Sequence, residues 1–141
     1  MSKQFQQISV KPGFMKYNGG LLFRKISKNE FEFKTIIKKI HLNRAKITHG
    51  GYICSIIDAG AGTAAHESTN GKSCVTISLD IKFTAPTRYK DKIIGTVNIN
   101  RKTKSLIFLS TTLKSKNKII ATSSGIWKIL NFKTQGSGYG G

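Results

Sequence analysis

The stretch that decides the fold begins with His41-Leu42-Asn43, continues through five residues to His49-Gly50-Gly51, and then enters the apolar segment YICSIIDAGAGTAA at residues 52–65. Apolar and small residues in this segment recur at spacings of three and four, which predicts a helix from Gly50 to about residues 66–67. Asp58 is the only acidic residue of the segment, which contains no Lys, Arg or His. Because a carboxylate is costly to bury unless it is hydrogen-bonded or paired, we expect Asp58 to have a function.

Strand patterns lie on both sides of the predicted helix. Alternating apolar and polar residues predict two strands before it, over residues 21–27 and 30–40. The same reasoning predicts four strands after it, over residues 73–84, 91–101, 105–114 and 118–129. Hairpins around one helix indicate an α+β fold with an antiparallel sheet. Gly60 and Gly62 lower the helix propensity, so we expect them to allow the sheet to approach the helix closely.

The chain is long enough for one domain and too short for two ordinary ones. We expect residues 1–20 to form a short helical or irregular lead-in, residues 21–130 the domain, and the Gly-rich residues 131–141 a disordered tail. No run approaches the roughly 18 apolar residues of a membrane span. The start also lacks the pattern of a signal peptide. The sequence therefore predicts a cytoplasmic protein without a membrane partner.

The chain is strongly basic, with 24 Lys and Arg against six Asp and Glu and a formal net charge of +18. Such a charge is compatible with a polyanionic partner such as nucleic acid. We favour the alternative, a compositional bias in which the lysines are dispersed along the chain and lie on solvated strand faces. Exposed aromatic residues are rarely interleaved with the basic ones, which argues against nucleic acid.

Cysteine and histidine are too few for a disulfide framework or a recognisable metal site. Cys54 and Cys74 form no CxxC pair, and each lies in an apolar segment, so we expect both to be small buried hydrophobic residues. Three histidines and two cysteines show no ligand spacing. We therefore expect neither a metal nor a dissociable cofactor.

The start of the predicted helix offers a site for a developing negative charge. Its first N–H groups have no partner within the helix, and glycine lets a ligand approach them closely. The Gly50 N–H is therefore a candidate donor to the oxyanion of an acyl-transfer reaction. Asp58 lies eight residues further on, about 12 Å along the helix. An antiparallel helix pair in a dimer would bring Asp58 of one copy to Gly50 of the other.

Each of these residues also has a structural alternative. Asp58 could cap a neighbouring element or hydrogen-bond across a subunit interface. His49 could simply cap the helix, and Asn43 could bond the backbone of its own loop. If Asp58 is catalytic, it could act as a nucleophile on a thioester or as a general base toward water, and the residues leave both open.

Five spaced motifs together resemble the hotdog-fold acyl-CoA thioesterases, and within them the PaaI-like, phenylacetate-pathway branch. The motifs are His41-Leu42-Asn43, His49-Gly50-Gly51, Asp58-Ala59-Gly60, Val75-Thr76-Ile77-Ser78-Leu79 and Phe83-Thr84-Ala85-Pro86. The likeness covers roughly residues 21–130. It implies a long central helix wrapped by an antiparallel sheet of five to six strands. It also implies a homodimer with one continuous sheet, or a dimer of dimers (a homotetramer).

The resemblance implies five catalytic roles. Asp58 would be the nucleophile or general base, and the Gly50 N–H would polarise the thioester carbonyl. Asn43 of the partner subunit would orient the water or the substrate. His49 would lie beside the thioester, and Thr76 would hold the attacking water.

Four further residues are candidates for substrate binding. Gly51 and Phe83 would line the site, and Arg88 and Arg101 would attract the phosphates of coenzyme A. One position departs from the family pattern: Lys46 stands three residues after the motif asparagine, where the family often has Gly.

The resemblance thus predicts an enzyme that hydrolyses an acyl-CoA thioester to a carboxylic acid and free coenzyme A. One alternative is a hotdog dehydratase or hydratase, although the chain lacks the Pro and Glu expected around a catalytic histidine in those enzymes. Another alternative is a non-catalytic protein that binds acyl-CoA or nucleic acid, which the charge of +18 favours.

Overall fold

The computed structural model describes residues 2–133, with the side chains described up to residue 131. Two helices and seven strands make up the fold. In chain order they are β1 (Gln6–Ile8), α1 (Phe14–Tyr17), β2 (Leu21–Ser27), β3 (Glu30–Ile36), α2 (Gly50–Ser68), β4 (Lys72–Phe83), β5 (Lys92–Lys102), β6 (Leu106–Ser115) and β7 (Lys118–Lys133). The α+β prediction, with one long central helix against an antiparallel sheet, is confirmed.

All seven strands belong to one antiparallel sheet in the order β1-β2-β3-β5-β6-β7-β4. We expected five to six strands, so the sheet has one strand more than the larger of these numbers. The additional strand is β1, whose Ile8 pairs with Leu21 of β2. The lead-in was expected to be helical or irregular, and only its one-turn helix α1 agrees. A strand of three residues is too short for its alternation to stand out in a sequence.

Helix α2 packs against the sheet through the predicted apolar face. Its large side chains Ile56 and Ile57 are completely buried. The expected close approach occurs at Gly60, where an added Cβ would overlap the buried ring of Phe33 on β3. A Cβ on Gly95 of β5 would overlap the same ring. The two glycines therefore make the space that one phenylalanine fills between helix and sheet.

Strand β3 ends at Ile36, earlier than predicted, and residues Lys39–His41 form a 3₁₀ turn. His41, the last residue of this turn, is buried. Its Nδ1 accepts the Lys38 N–H at 2.9 Å, and its Nε2 donates to the Asn18 carbonyl at 2.8 Å. The ring stacks on Tyr52 of α2, with 3.6 Å between the ring centroids. The histidine thus joins the lead-in, the turn and the central helix.

Two other expectations need correction. Strand β7 continues to Lys133, which pairs with Lys72, so the domain extends past the boundary expected at residue 130. The rest of the predicted tail, residues 134–141, lies outside the described residues. Cys74 is buried as expected, whereas Cys54 is only half-buried.

Strand β4 forms one edge of the sheet and is 12 residues long. Its apolar residues Val75 and Ile77 are 44% and 55% exposed. A long apolar edge strand presents unpaired backbone groups to which another chain can bind. Within residues 2–133, no helix has both the length and the hydropathy needed to cross a bilayer.

Candidate active site

Asp58 is exposed on the surface of α2, contrary to the expectation that this carboxylate is buried. It lies beside the apolar face, at the border with edge strand β4. The hydroxyl of Thr76 on β4 donates to Asp58 Oδ1 at 2.7 Å. This distance is that of a well-formed O–H···O hydrogen bond. The carboxylate is therefore oriented by the sheet while it remains open to solvent.

A cleft of about 410 Å³ opens beside this pair, and we name it the Asp58 cleft. It lies between α1, α2 and the starting half of β4. Its lining residues are Phe14, Met15, Ser55, Asp58, Ala59, Gly62, Cys74, Val75, Thr76 and Trp127. Burial raises the pKa of the Cys74 thiol, so Cys74 remains protonated and is a poor nucleophile. Asp58 is the one acidic residue in the lining.

A second cleft, of about 450 Å³, lies at the N-terminal end of α2, and we name it the Gly50 cleft. It is lined by Asn43, Ile47, Thr48, Gly50, Ile53, Phe83, Thr84, Ala85, Pro86, Thr87 and Ile120. The ring of Phe83 would lie 3.6 Å from a Cβ placed on Gly50. Three of the predicted site residues, Asn43, Gly50 and Phe83, are therefore brought together.

The start of α2 leaves one backbone donor open. His49 is the N-cap residue, and its Nδ1 accepts the Gly51 N–H at 2.8 Å. The N–H groups of Tyr52 and Ile53 bond the His49 carbonyl. The Gly50 N–H has no protein partner within the described residues. Capping by His49 thus occupies Gly51 and leaves Gly50 as the donor that a ligand can reach.

Asn43 shapes its own loop, as its structural alternative predicted. Its Oδ1 accepts the N–H groups of Ala45 and Ile47 at 2.9 and 3.3 Å. The side-chain NH₂ group of Asn43 has no partner within the described part of the chain, so it can donate to a ligand in the Gly50 cleft. Lys46, the departure from the family pattern, has a φ of 61°. This lysine therefore adopts the left-handed backbone conformation that glycine adopts without strain.

Two buried threonines that the sequence analysis did not single out hold the Gly50 cleft together. The Thr48 N–H and hydroxyl both donate to the Thr87 carbonyl, at 2.8 and 3.1 Å. The Thr87 hydroxyl donates to the Thr48 hydroxyl at 2.7 Å. The pair fixes the loop before α2 against the loop between β4 and β5. No sequence signal marks it, because the two residues are 39 positions apart.

The two predicted arginines lie at different ends of the molecule. Arg88 is exposed and directly follows Thr87 of the Gly50 cleft. Arg101 is exposed near the end of β5 and lines neither cleft. Its neighbour Lys102 donates to the Ser68 carbonyl at the C-terminal end of α2, the end opposite Gly50. Neither arginine lines either cleft, but Arg88 is next in the chain to a lining residue of the Gly50 cleft, whereas Arg101 is not.

The carboxylate and the open amide of one chain cannot act on the same carbonyl. Asp58 and Gly50 are eight residues apart on a continuous helix, about 12 Å along its axis. They also line different clefts. Within residues 2–133, no three His, Cys, Asp or Glu side chains are grouped as metal ligands would be.

Comparison with known proteins gives a family match. Residues 45–121 match the model of the thioesterase superfamily. The chain is 26% identical over 132 residues to a protein of Archaeoglobus fulgidus named "Putative esterase", covering 88% of this chain and 84% of that one. It is also 26% identical over 87 residues to acyl-coenzyme A thioesterase 13 of Mus musculus, covering 60% of this chain and 62% of that one.

Solved structures share the fold. Thioesterase superfamily member 2 of zebra fish superposes with a TM-score of 0.79 at 19% identity, covering 86% of this chain and 90% of that one. The PaaI protein of E. coli superposes with a TM-score of 0.76 at 16% identity, covering 85% and 91%. A Streptococcus mutans protein solved with acetyl-CoA superposes with a TM-score of 0.74 at 17% identity, covering 82% and 92%. These similarities confirm the expected hotdog fold.

Proposed function

The chain belongs to the thioesterase superfamily and is a thioester hydrolase, and from this premise we propose that it hydrolyses acyl-CoA to a carboxylic acid and free coenzyme A without a metal or dissociable cofactor. The observation that carries the proposal is the Asp58 carboxylate, held at 2.7 Å by Thr76 in an open cleft. The acetyl-CoA bound to the structurally similar S. mutans protein supports coenzyme A as the carrier.

The proposed active unit is a homodimer, in which two copies pair through edge strand β4 and set their α2 helices antiparallel. The exposed apolar residues Val75 and Ile77 on that edge support this arrangement. The distance between Asp58 and Gly50 also supports a dimer. Within one chain the Gly50 N–H lies too far from Asp58 to act on the same carbonyl, and a second copy can supply this donor. Two such dimers would form the proposed tetramer.

In the proposed mechanism Asp58 is the general base. The Thr76 hydroxyl donates its proton to Oδ1, so its lone pairs can accept a hydrogen bond from the attacking water. Asp58 takes a proton from that water as the oxygen attacks the thioester carbon. The tetrahedral oxyanion accepts the Gly50 N–H of the second copy. Collapse breaks the C–S bond, and the proton passes to the leaving coenzyme A thiolate.

The remaining site residues orient these groups. His49 caps Gly51 and thereby keeps the Gly50 N–H available. The free NH₂ group of Asn43 donates to the substrate in the Gly50 cleft, beside the ring of Phe83. The exposed Arg88, which follows Thr87 of this cleft in the chain, attracts the nucleotide phosphates. Arg101 lines neither cleft of one chain, so a contact with coenzyme A requires the assembled oligomer. We place the enzyme in the cytoplasm, where Cys54 and Cys74 stay reduced.

The test is Asp58→Asn, measured as thiol release from acyl-CoA. We expect kcat to fall at least about 100-fold, in the range for loss of a general base, while the oligomer stays intact in gel filtration. Asp80→Asn is the matched control, because Asp80 is an exposed residue of the same strand-edge region and pairs with Lys82 at 2.9 Å, outside both clefts. Full turnover by Asp58→Asn would remove Asp58 from the mechanism.

A single turnover in H₂¹⁸O detects a nucleophilic role of the carboxylate when the resulting anhydride is hydrolysed at the aspartyl carbonyl. General-base catalysis places ¹⁸O only in the product acid. Nucleophilic attack by Asp58 would form an anhydride, whose hydrolysis transfers ¹⁸O to the aspartate if water attacks there. Label on Asp58, read by mass spectrometry of the peptide, would overturn the general-base assignment.

A further inference from the structure

We infer that Phe14 of α1 determines the acyl specificity of the enzyme, and that the Asp58 cleft which Phe14 lines favours uncharged apolar acyl groups over those that end in a carboxylate. The inference rests on the proposed function and adds to it the chemical class of the acyl group. It also gives a role to the lead-in segment, which the mechanism does not use.

The first support is exposed apolar surface directly beside the reacting groups. Phe14 is 63% exposed and lines the cleft. The lining residues Met15 and Trp127 are only 3% and 1% exposed and add buried apolar surface to the cleft. A large exposed apolar side chain beside such residues gains stability when an apolar group covers it. The acyl chain of a thioester cleaved at Asp58 would provide that cover.

The second support is charge. The chain carries 24 Lys and Arg, yet none of them is among the residues that line this cleft, all of which the structure describes. The one lining carboxylate is Asp58. An acyl group that ends in its own carboxylate would enter without a cation to pair with and close to a like charge. The cleft therefore disfavours dicarboxylic acyl groups and the phosphates of coenzyme A.

The third support is the space along the helix. Ala59 and Gly62 line the cleft one turn apart, on the same side of α2 as Asp58. Both residues are small, so the helix leaves room for an acyl chain in the cleft beside the carboxylate. The same cleft is lined by the apolar residues Phe14, Met15 and Trp127.

The wall that carries Phe14 is held in place although α1 has only one turn. The Gly20 N–H donates to the Met15 carbonyl at 2.7 Å, and the Asn18 side chain donates to the Phe14 carbonyl at 2.9 Å. The Asn18 carbonyl accepts from the buried ring of His41. Because this chain of bonds reaches the core, the Phe14 ring is presented on a fixed element, as a specificity residue requires.

The first experiment compares substrates. We expect the native enzyme to cleave hexanoyl-CoA with at least tenfold higher kcat/KM than adipoyl-CoA, which has the same chain length and a terminal carboxylate. Phe14→Ala should lower the ratio of kcat/KM for octanoyl-CoA over acetyl-CoA about tenfold, the size expected for lost apolar contact. Tyr17→Ala, an 85% exposed aromatic on the same helix but outside the cleft, should leave the ratio unchanged. An equal ratio of kcat/KM for octanoyl-CoA over acetyl-CoA in Phe14→Ala and Tyr17→Ala would overturn the inference.

The second experiment measures binding without turnover. Trp127 is the only tryptophan and lies in the cleft floor, so its fluorescence reports occupation of the cleft. In Asp58→Asn protein, octanoyl-CoA should change this fluorescence saturably, and Phe14→Ala should raise the Kd about tenfold. Free coenzyme A should not reproduce the change, and an identical response to it would overturn the inference. Saturable binding by a native protein that hydrolyses no acyl-CoA would refute the proposed function and leave the role of Phe14 standing. Hydrolysis of acyl-CoA with the same chain-length preference in native and Phe14→Ala protein would support the proposed function and refute the role of Phe14.

Discussion

The hydroxyl of Thr87 donates a 2.7 Å hydrogen bond to the hydroxyl of Thr48, which in turn donates to the Thr87 carbonyl. Both side chains are buried, at 3% and 8% exposure. Thr48 immediately precedes the cap of α2, and Thr87 lies on the loop that forms the opposite wall of the Gly50 cleft. The position of the Gly50 N–H relative to Phe83 and Arg88 therefore depends on this pair.

Thr87→Val removes the donor and leaves the buried Thr48 hydroxyl oxygen without its partner. We expect the free energy of unfolding to fall by about 1–3 kcal/mol, the cost of an unsatisfied buried polar group. We also expect kcat to fall more than KM changes, because the loosened element carries the proposed oxyanion donor. Urea unfolding and steady-state thiol release measure the two effects. Thr87→Ser keeps the hydroxyl and should restore kcat; equal losses of kcat in both variants would refute the positioning role.

Thr76→Val removes the hydroxyl that orients Asp58 while it preserves the β-branched shape favoured in a strand. We expect kcat for acyl-CoA to fall about 10- to 100-fold, because the carboxylate and the attacking water both lose a fixed partner. Since Thr76 is exposed, the free energy of unfolding should change by less than about 0.5 kcal/mol. Thr76→Ser is the rescue variant. A Val variant with native kcat would show that Asp58 needs no such orientation.

Ile77→Lys tests whether the edge of β4 forms the dimer. Ile77 is 55% exposed, and a charge on an edge strand opposes pairing with another chain. We expect the variant to elute as a monomer in gel filtration and to lose activity, because each chain then lacks the second copy's Gly50. Ile94→Lys is the control, since Ile94 is 45% exposed on the interior strand β5 and cannot be reached by edge pairing. An active Ile77→Lys monomer would refute the shared site.

His41 predicts a pH dependence of stability. Burial lowers the pKa of His41 below its ordinary value, with the Asn18 bond opposing this effect and the nearby Lys38 charge adding to it. The unfolded chain then binds a proton at a higher pH than the folded chain does. The stability that His41 contributes is fully present above about pH 6.5 and is lost as the pH falls below that value.

The measurement is the free energy of unfolding in urea between pH 8 and pH 5. We expect it to decrease with falling pH in the native protein. The decrease should be smaller in His41→Gln, whose side chain can still donate to the Asn18 carbonyl but does not titrate. Identical slopes in the two proteins would show that His41 is not the group responsible.

Much of this fold was determined locally by the sequence. The three- and four-residue spacing from Tyr52 to Ala64 predicted the long helix, because a helix buries whichever face its apolar residues share. Alternation predicted the six longer strands to within a few residues, apart from the early end of β3. The five spaced motifs, from His41-Leu42-Asn43 to Phe83-Thr84-Ala85-Pro86, indicated the thioesterase family through their resemblance to it. Strand β1 escaped prediction since three residues carry too little pattern.

The tertiary structure decided what depends on residues distant in the chain. Periodicity placed Asp58 in an apolar segment, but the position of strand β4 decided that its carboxylate is exposed and bonded to Thr76. The Thr48–Thr87 pair and the bond from His41 to Asn18 link residues 39 and 23 positions apart. Such a hydrogen bond forms where folding brings two polar groups together, so no local sequence pattern predicts it. The helix could be read from its own residues, whereas the site required the sheet to close around it.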